Sequence, residues 1–381
     1  VRKDKIIILS INGIGDALML TPMVRLLGEK RPASSITVLT TLQGVKAIFE
    51  TCPHVDHVVL IGRSLRSMGQ GWRQLAALRQ RRFHLSITGF SSCHYENMIA
   101  GYIHARNRIV LAPPDGGKTG LSYIFQNLQI PMTLNDNAVR QNVHLLSPLK
   151  IAPEKPDDFE PHIWLTRDDI ADGRRFLSDR EISPDDLIVG FHPGSSEEKG
   201  MIHKRWPKEK FAALGDRLLQ TYPQTRILIF GGPEEEDLKK EINDRIAGEC
   251  AIVSHLSLRA TAALIKQCRV FVSNDSGLLH VAAAVKTPSV GLFGPTNPIT
   301  NGPYGGGHAV LTRDLDCRPC CPVLKLRRRG RFTPTCDERI CLTRLRVTRV
   351  FEAVEPIIRK RSGQTSDIDG LSIQEKPKGR D

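Results

Sequence analysis

Short apolar runs of strand length recur along this chain, each followed by a stretch whose apolar residues fall at helical spacing. The first series lies at residues 6–10, 36–39, 58–61, 85–88 and 109–111, and the second at 187–191, 226–230, 251–253, 270–272 and 289–293. A strand exposed on one face would alternate polar and apolar residues; continuous apolar runs alternating with helices indicate parallel sheets covered on both sides. Two such series predict an α/β chain of two doubly wound, Rossmann-like parallel-sheet domains. A polar stretch carrying Pro148, Pro153, Pro156 and Pro161 separates them, which sets the expected domains at 1–178 and 179–345. In such folds ligands lie beyond the carboxyl ends of the strands, so the turns there and the cleft between domains are the places to search.

Composition narrows the class. At 40% hydrophobic residues the chain is globular, and no apolar run approaches the roughly 18 residues of a membrane span. Residues 1–5 run straight into an apolar strand, as expected of a cytoplasmic protein. The net charge of +13 is concentrated. Residues 63–83 hold six arginines and no acid, and residues 325–349 hold nine basic residues against two acidic ones. Such stretches suit phosphates or an anionic membrane surface. Without a recognised nucleic-acid-binding motif beside them, nucleic acid is not expected as a partner. The polar segment 362–381 reads as a disordered tail.

Three places offer chemistry. The first is the turn Asn12-Gly13-Ile14-Gly15-Asp16, between the first strand and a helix beginning near Asp16. Leu18 stands where a dinucleotide fingerprint needs its third glycine, so a Rossmann dehydrogenase is disfavoured. Asp16 has two readings: a helix cap, or a general base at a strand's carboxyl end. The second is residues 191–196, Phe-His-Pro-Gly-Ser-Ser, followed by Lys204-Arg205-Trp206-Pro207; Ser195, Ser196 and Lys204 would make a diphosphate clamp. The third is Asn274-Asp275-Ser276-Gly277, closing a buried strand and opening an alanine-rich helix whose unpaired N–H groups would receive a phosphate. His280 lies one turn further on, and Glu234, Glu235 and Glu236 follow another strand, where a carboxylate could meet a ribose diol.

In this order and spacing the residues resemble glycosyltransferase family 9, the bacterial heptosyltransferases of lipopolysaccharide core assembly. Residues 12–22 (NGIGDALMLTP) resemble the family's N-terminal signature, and 204–207 (KRWP), 274–284 (NDSGLLHVAAA) and 291–298 (GLFGPTNP) its C-terminal ones. The resemblance covers roughly residues 5–360. It implies the GT-B fold, with the C-terminal helix, here 346–361, packing back on the first domain. It also implies an inverting transfer from ADP-L-glycero-D-manno-heptose that needs no cofactor for catalysis. The family's base falls on Asp16, its diphosphate-binding lysine on Lys204, its phosphate-binding turn on Asp275, Ser276 and Gly277, and its ribose-binding glutamate on Glu235, within one residue. Ser196 matches a phosphate-contacting hydroxyl. The acceptor would be a phosphorylated lipopolysaccharide core at the inner membrane, met by Gly15, Arg63, Arg66 and Arg140, with the chain peripheral on that anionic surface. Other readings are a family member with another nucleotide sugar or a protein or natural-product acceptor, a non-catalytic nucleotide-sugar-binding protein, and, disfavoured for want of evident acid/base residues, a GT-B epimerase.

Of nine cysteines, Cys52, Cys93, Cys250 and Cys268 are scattered. Cys317, Cys320, Cys336 and Cys341, in an insertion spanning 317–341, have the count and loop length of a structural Zn or Fe site, although Cys321 leaves the ligand set ambiguous.

Overall fold

The apolar runs are strands. The structure, a computed structural model, describes residues 4–62, 68–90, 94–112, 121–183, 185–320 and 338–360. It divides into two units, one up to Trp164 and one from Leu165. In the first, strands β1 (Lys5–Leu9), β2 (Ser35–Thr40), β3 (His57–Leu60), β4 (Leu85–Thr88), β5 (Asn107–Ala112) and β6 (Leu128–Pro131) form a parallel sheet in the order β3-β2-β1-β4-β5-β6. Helices α1 (Ile14–Lys30), α2 (Gln43–Phe49), α3 (Met68–Gln80), α4 (His94–Ile103) and α5 (Ala138–His144) belong to it. β1 is central: Ile7 lies opposite Thr37 on one side and Ser86 on the other, which is why residues 6–9 are all buried.

The second unit repeats the plan. Strands β7 (Leu187–His192), β8 (Thr225–Ile229), β9 (Cys250–Ile252), β10 (Val270–Asn274), β11 (Ser289–Leu292) and β12 (His308–Leu311) are ordered β12-β11-β10-β7-β8-β9. Counted within each unit, both sheets have the strand order 3-2-1-4-5-6 of Rossmann sheets. Its helices are α6 (Arg167–Ser178), α7 (Lys208–Thr221), α8 (Glu236–Asn243), α9 (Leu258–Ile265), α10 (Gly277–Ala284), α11 (Pro298–Asn301), α12 (Ile340–Thr343) and α13 (Val347–Arg359). The two strands absent from the sequence reading, β6 and β12, are edges. They are largely half-buried; β6 interrupts its apolar residues with Gln129, and β12 carries only the short run Ala309, Val310 and Leu311.

Two expectations are corrected. The boundary falls at residue 164 rather than 178, because α6 packs on α9. A Cβ on Gly173 would sit 3.4 Å from Ala263, and Arg259 Nε donates to Asp169 at 2.8 Å. The C-terminal helix does not belong to the first domain. Val350, Phe351 and Val354 of α13 join Trp206, Phe211, Leu214, Val272 and Val290 in the second unit's core. Arg217 lies 4.3 Å over the Phe351 ring, and Trp206 Nε1 donates to Leu345 O at 3.1 Å just before the helix. The apolar stripe that identifies this helix therefore closes the second sheet. The tail 362–381 lies outside the described residues.

Emptying the Phe351 site is expected to cost about 3–5 kcal/mol. Phe351→Ala should accordingly lower the denaturation midpoint of the unit containing Trp206. A loss below about 1 kcal/mol, the range of surface changes, would contradict the packing described.

Candidate functional site

In the first unit the strand order reverses between β1 and β4, and the turns leaving those strands meet there. Leu9, Ser10, Asn12, Asp16 and Leu20 from one side, and Gly89, Phe90 and Glu96 from the other, line a small pocket. The helix starts at Ile14, two residues before Asp16, with Gly13 as N-cap. Asp16 Oδ2 accepts the Gly13 N–H at 3.2 Å. Asp16 therefore both holds the turn through Gly13 and lines the pocket. Gly15 is buried within α1.

Sequence reasoning missed Glu96. It is 2% exposed, accepts the Ile11 N–H at 3.4 Å, and has both oxygens 3.3 Å from Asn12 Nδ2. It ties α4 to the turn that carries Asp16. No local motif could reveal this, since the proximity comes from the pairing of β1 with β4.

Arg63 and Arg66 lie outside the described residues. Arg140 on α5 is engaged within its own unit, 3.2 Å from Asp136 and 5.0 Å over the Phe159 ring. Nearby elements carry a different surface. Trp72 on α3, Tyr95, Met98 and Tyr102 on α4, and Ile124 and Phe125 are exposed, Ile124 at 72% and Trp72 and Met98 at 57%. Tyr95, Met98 and Tyr102 form one stripe at helical spacing. Trp72 packs edge-on to Tyr102 with ring centroids 5.9 Å apart. In residues 68–83, 94–112 and 121–131 there are six arginines, and the one acid is the buried Glu96.

In the second unit the order reverses between β7 and β10. Asn274, at the end of β10, joins its own turn to the stretches 191–196 and 204–207, the first three of four segments. Its Oδ1 accepts the Trp206 N–H at 2.9 Å, and its Nδ2 donates to Pro193 O at 2.7 Å and Gly194 O at 3.3 Å. The next residue adds the fourth: Lys204 Nζ lies 2.8 Å from Asp275 Oδ2, which also accepts the Thr296 hydroxyl at 2.6 Å. Helix α10 then starts at Gly277 with Ser276 as N-cap, and no side chain caps its first N–H groups. Uncapped amides, the helix dipole and a lysine make this turn a candidate anion site. His280 is buried; burial pushes its pKa down to about 4, which keeps it neutral beside Asp275 and Lys204.

Other expected donors are used internally. Ser195 Oγ donates to Met201 O at 2.9 Å, whereas Ser196 is exposed. Glu235, expected at a ribose, is 4% exposed. Its Oε2 accepts from Gly232 N–H at 2.8 Å and lies 3.2 Å from His192 Nε2, and its Oε1 is 3.5 Å from Arg205. A Cβ on Gly194 would sit 1.8 Å from Glu235 Oε1, so only glycine fits beneath that carboxylate. Glu236 bonds Lys239 and Ser254, which leaves Glu234 as the exposed carboxylate of the three. The fully buried Lys239 also donates to Val253 O at 2.8 Å and fixes the turn. His192, Arg205 and Lys239 are thus further polar residues of this region that motif reading did not single out.

Of the cysteine cluster, Cys317, Cys320 and Cys341 are thiols and Cys336 lies outside the described residues. Among the described residues no group of three or more His, Cys, Asp or Glu could hold a metal. The Arg318 guanidinium donates to Gly294 O and Arg313 O.

Burial alone would raise the Glu235 pKa. The hydrogen bond with His192, the Gly232 N–H and the Arg205 charge outweigh it and hold the pKa down to about 2. A depressed carboxylate contributes stability in full above its ordinary value of 4.5, and loses it as pH falls toward 2. Glu235→Gln is expected to cost about 3 kcal/mol at pH 7 in urea melts, with the gap to wild type closing between about pH 5 and pH 2. A gap that is constant across that range would contradict the assignment.

Residues 105–326 match the model of glycosyltransferase family 9 (heptosyltransferase). Lipopolysaccharide heptosyltransferase 1 of Pseudomonas aeruginosa is 30% identical over 170 residues, 41% of this chain and 45% of that protein, so the chain spans less than half of its length. Lipopolysaccharide heptosyltransferase 2 of Salmonella typhimurium is 25% identical over 307 residues, 77% of this chain and 84% of that protein. The structure of the ADP-heptose lipopolysaccharide heptosyltransferase II of E. coli superposes with a TM-score of 0.70 at 19% identity, covering 93% of this chain and 98% of that one, which shows the shared GT-B fold. With more than half of its length matched by the family model, and with the family's signatures gathered at both strand-order reversals, the chain belongs to glycosyltransferase family 9.

Proposed function

We propose that this chain transfers a heptose, with inversion, from ADP-L-glycero-D-manno-heptose to a lipopolysaccharide core acceptor. The observation that carries the reading is the second unit's anion site: Lys204 and the uncapped start of α10, joined through Asp275. The names of the two relatives support the sugar and the acceptor class.

The chemistry follows from the parts. As the bond from the anomeric carbon to the ADP oxygen breaks, negative charge grows on the diphosphate. Lys204 and the N–H groups at Gly277 and beyond stabilise it, a preorganised effect worth about 3–4 kcal/mol for a well-placed donor. The acceptor hydroxyl forms the new bond to that carbon from the opposite face and gives its proton to Asp16, held in place by Gly13 on a turn braced by Glu96. ADP leaves with the bonding electron pair, and a single displacement of this kind inverts the anomeric configuration. Glu234, the exposed carboxylate of its turn, would accept from a ribose diol. Arg63, Arg66 and Arg140 remain the acceptor-side candidates.

The exposed face of α3 and α4 supports a peripheral position on an anionic bilayer. Aromatic and aliphatic side chains would enter the interfacial layer while arginines meet lipid phosphates. No helix among the described residues is long and apolar enough to cross a membrane.

Asp16→Asn is expected to lower kcat about 10²–10⁴-fold with little change in the KM for donor, in an assay of ADP release from ADP-heptose with a heptose-free lipopolysaccharide acceptor. Lys204→Ala should lower kcat/KM about 10²–10³-fold. Turnover of Asp16→Asn at the native rate would refute the base. The wild-type chain should co-sediment with phosphatidylglycerol vesicles and not with phosphatidylcholine ones, and Trp72→Ser with Met98→Ser should abolish it while sparing turnover of a soluble acceptor. Undiminished sedimentation of that variant would remove the membrane face from the reading.

A further inference from the structure

Ser276 occupies an N-cap position, where a serine hydroxyl ordinarily accepts from the helix's own N–H groups. Here it makes no such bond. Its Oγ lies instead 2.8 Å from His192 Nδ1 and 3.1 Å from Ser273 Oγ. His192 ends β7 and Ser276 follows β10, so this contact spans the point where the strand order reverses. The imidazole is 4% exposed, and its other nitrogen lies 3.2 Å from Glu235 Oε2.

The direction of each bond can be worked out. An ionised carboxylate only accepts, so Glu235 requires the proton of a neutral His192 to sit on Nε2. Nδ1 then presents a lone pair. Ser273 donates its own proton to Asn274 O at 2.8 Å, so it too faces Ser276 as an acceptor. The Ser276 proton must point inward, to Nδ1 or to Ser273, and the oxygen turns lone pairs toward the start of α10. An anion bound at that helix start would meet those lone pairs. Protonating Nδ1 reverses the arrangement: the imidazolium donates to Ser276 Oγ, and the hydroxyl proton is released to donate to the anion.

We infer that His192 is the proton-accepting positioning residue of the donor site: binding of a nucleoside diphosphate at the α10 start draws a proton onto Nδ1 and turns Ser276 from acceptor to donor. This rests on the reading that the diphosphate lies against that helix. Linkage makes the effect reciprocal, so a proton on His192 strengthens nucleotide binding by the factor with which the nucleotide favours that proton. The charged groups around the imidazole fit the role. Glu235, from the turn after β8, stabilises the imidazolium. Arg205 lies on the far oxygen of Glu235, Lys204 is neutralised by Asp275 after β10, and His280 on α10 is kept neutral by burial.

The test is calorimetric titration of the full chain with ADP at pH 7.5, in two sulfonate or amine buffers of different ionisation enthalpy, giving the protons taken up per ADP bound. Wild type is expected to take up about 0.5 proton or more beyond His192→Gln, whose side chain does not titrate. Ser276→Ala keeps the imidazole and removes the coupling, so it should show the same low uptake as His192→Gln, with ADP bound more weakly. A purely structural His192 would not make Ser276→Ala change proton uptake. If wild type and both variants bind ADP with equal proton uptake, the inference is overturned while the donor site stands. If wild type binds no ADP, the donor-site reading itself falls, and the inference with it. Should His192→Gln not fold, the comparison of Ser276→Ala with wild type decides alone.

Discussion

The side-chain amide of Asn274 is the constraint on which the donor half depends. An amide fully removed from water must find partners for its donors and its acceptor, or cost about 1–3 kcal/mol. Asn274 finds them in the backbone of the segments after β7 and before α7, and so holds together stretches that are some seventy residues apart in sequence. Everything placed nearby inherits that register. Lys204 reaches Asp275 because Trp206 is pinned two residues away, and Thr296 completes the same carboxylate from the next turn. The separate C-terminal signatures are a single hydrogen-bonded cluster.

A parallel constraint operates in the first unit at smaller scale. Glu96 is buried against the backbone and the amide of the turn after β1, so the helix it comes from and the turn that carries Asp16 move as one. In both units the polar network lies where the strand order reverses. That is where neighbouring crossovers part and leave the carboxyl ends of two strands uncovered. The same geometry that leaves room for a ligand also leaves backbone groups in need of partners.

How much was legible in the sequence follows from which signals are local. The central strands announced themselves because burial on both faces demands continuous apolar residues. The edge β6 did not, since Gln129 breaks its apolar residues, and β12 was missed although it is no less covered than the edges β3 and β9, which were read. Lys204, Asp275 and Gly277 stand out in the sequence through their motifs. Glu96, His192 and Arg205 were missed because their importance comes from contacts across paired strands or between turns. The stripe of α13 predicted a helix and its buried face, but a stripe does not name its partner: Trp206, Phe211 and Val290 do so only once folded. The resemblance assigns the ribose-binding carboxylate to Glu235, within one residue, and its burial under Gly194 and against His192 could not be read from a run of three glutamates.

The central claim is that this cluster is a receptor for a sugar nucleotide's diphosphate. A crystal structure of the full chain soaked or grown with ADP tests it most directly. The account predicts phosphate oxygens within hydrogen-bonding distance of the Gly277 N–H and of Lys204 Nζ, with Asn274 unmoved. Well-defined ADP seated elsewhere, with Lys204 still closed on Asp275 and nothing at the start of α10, would contradict it.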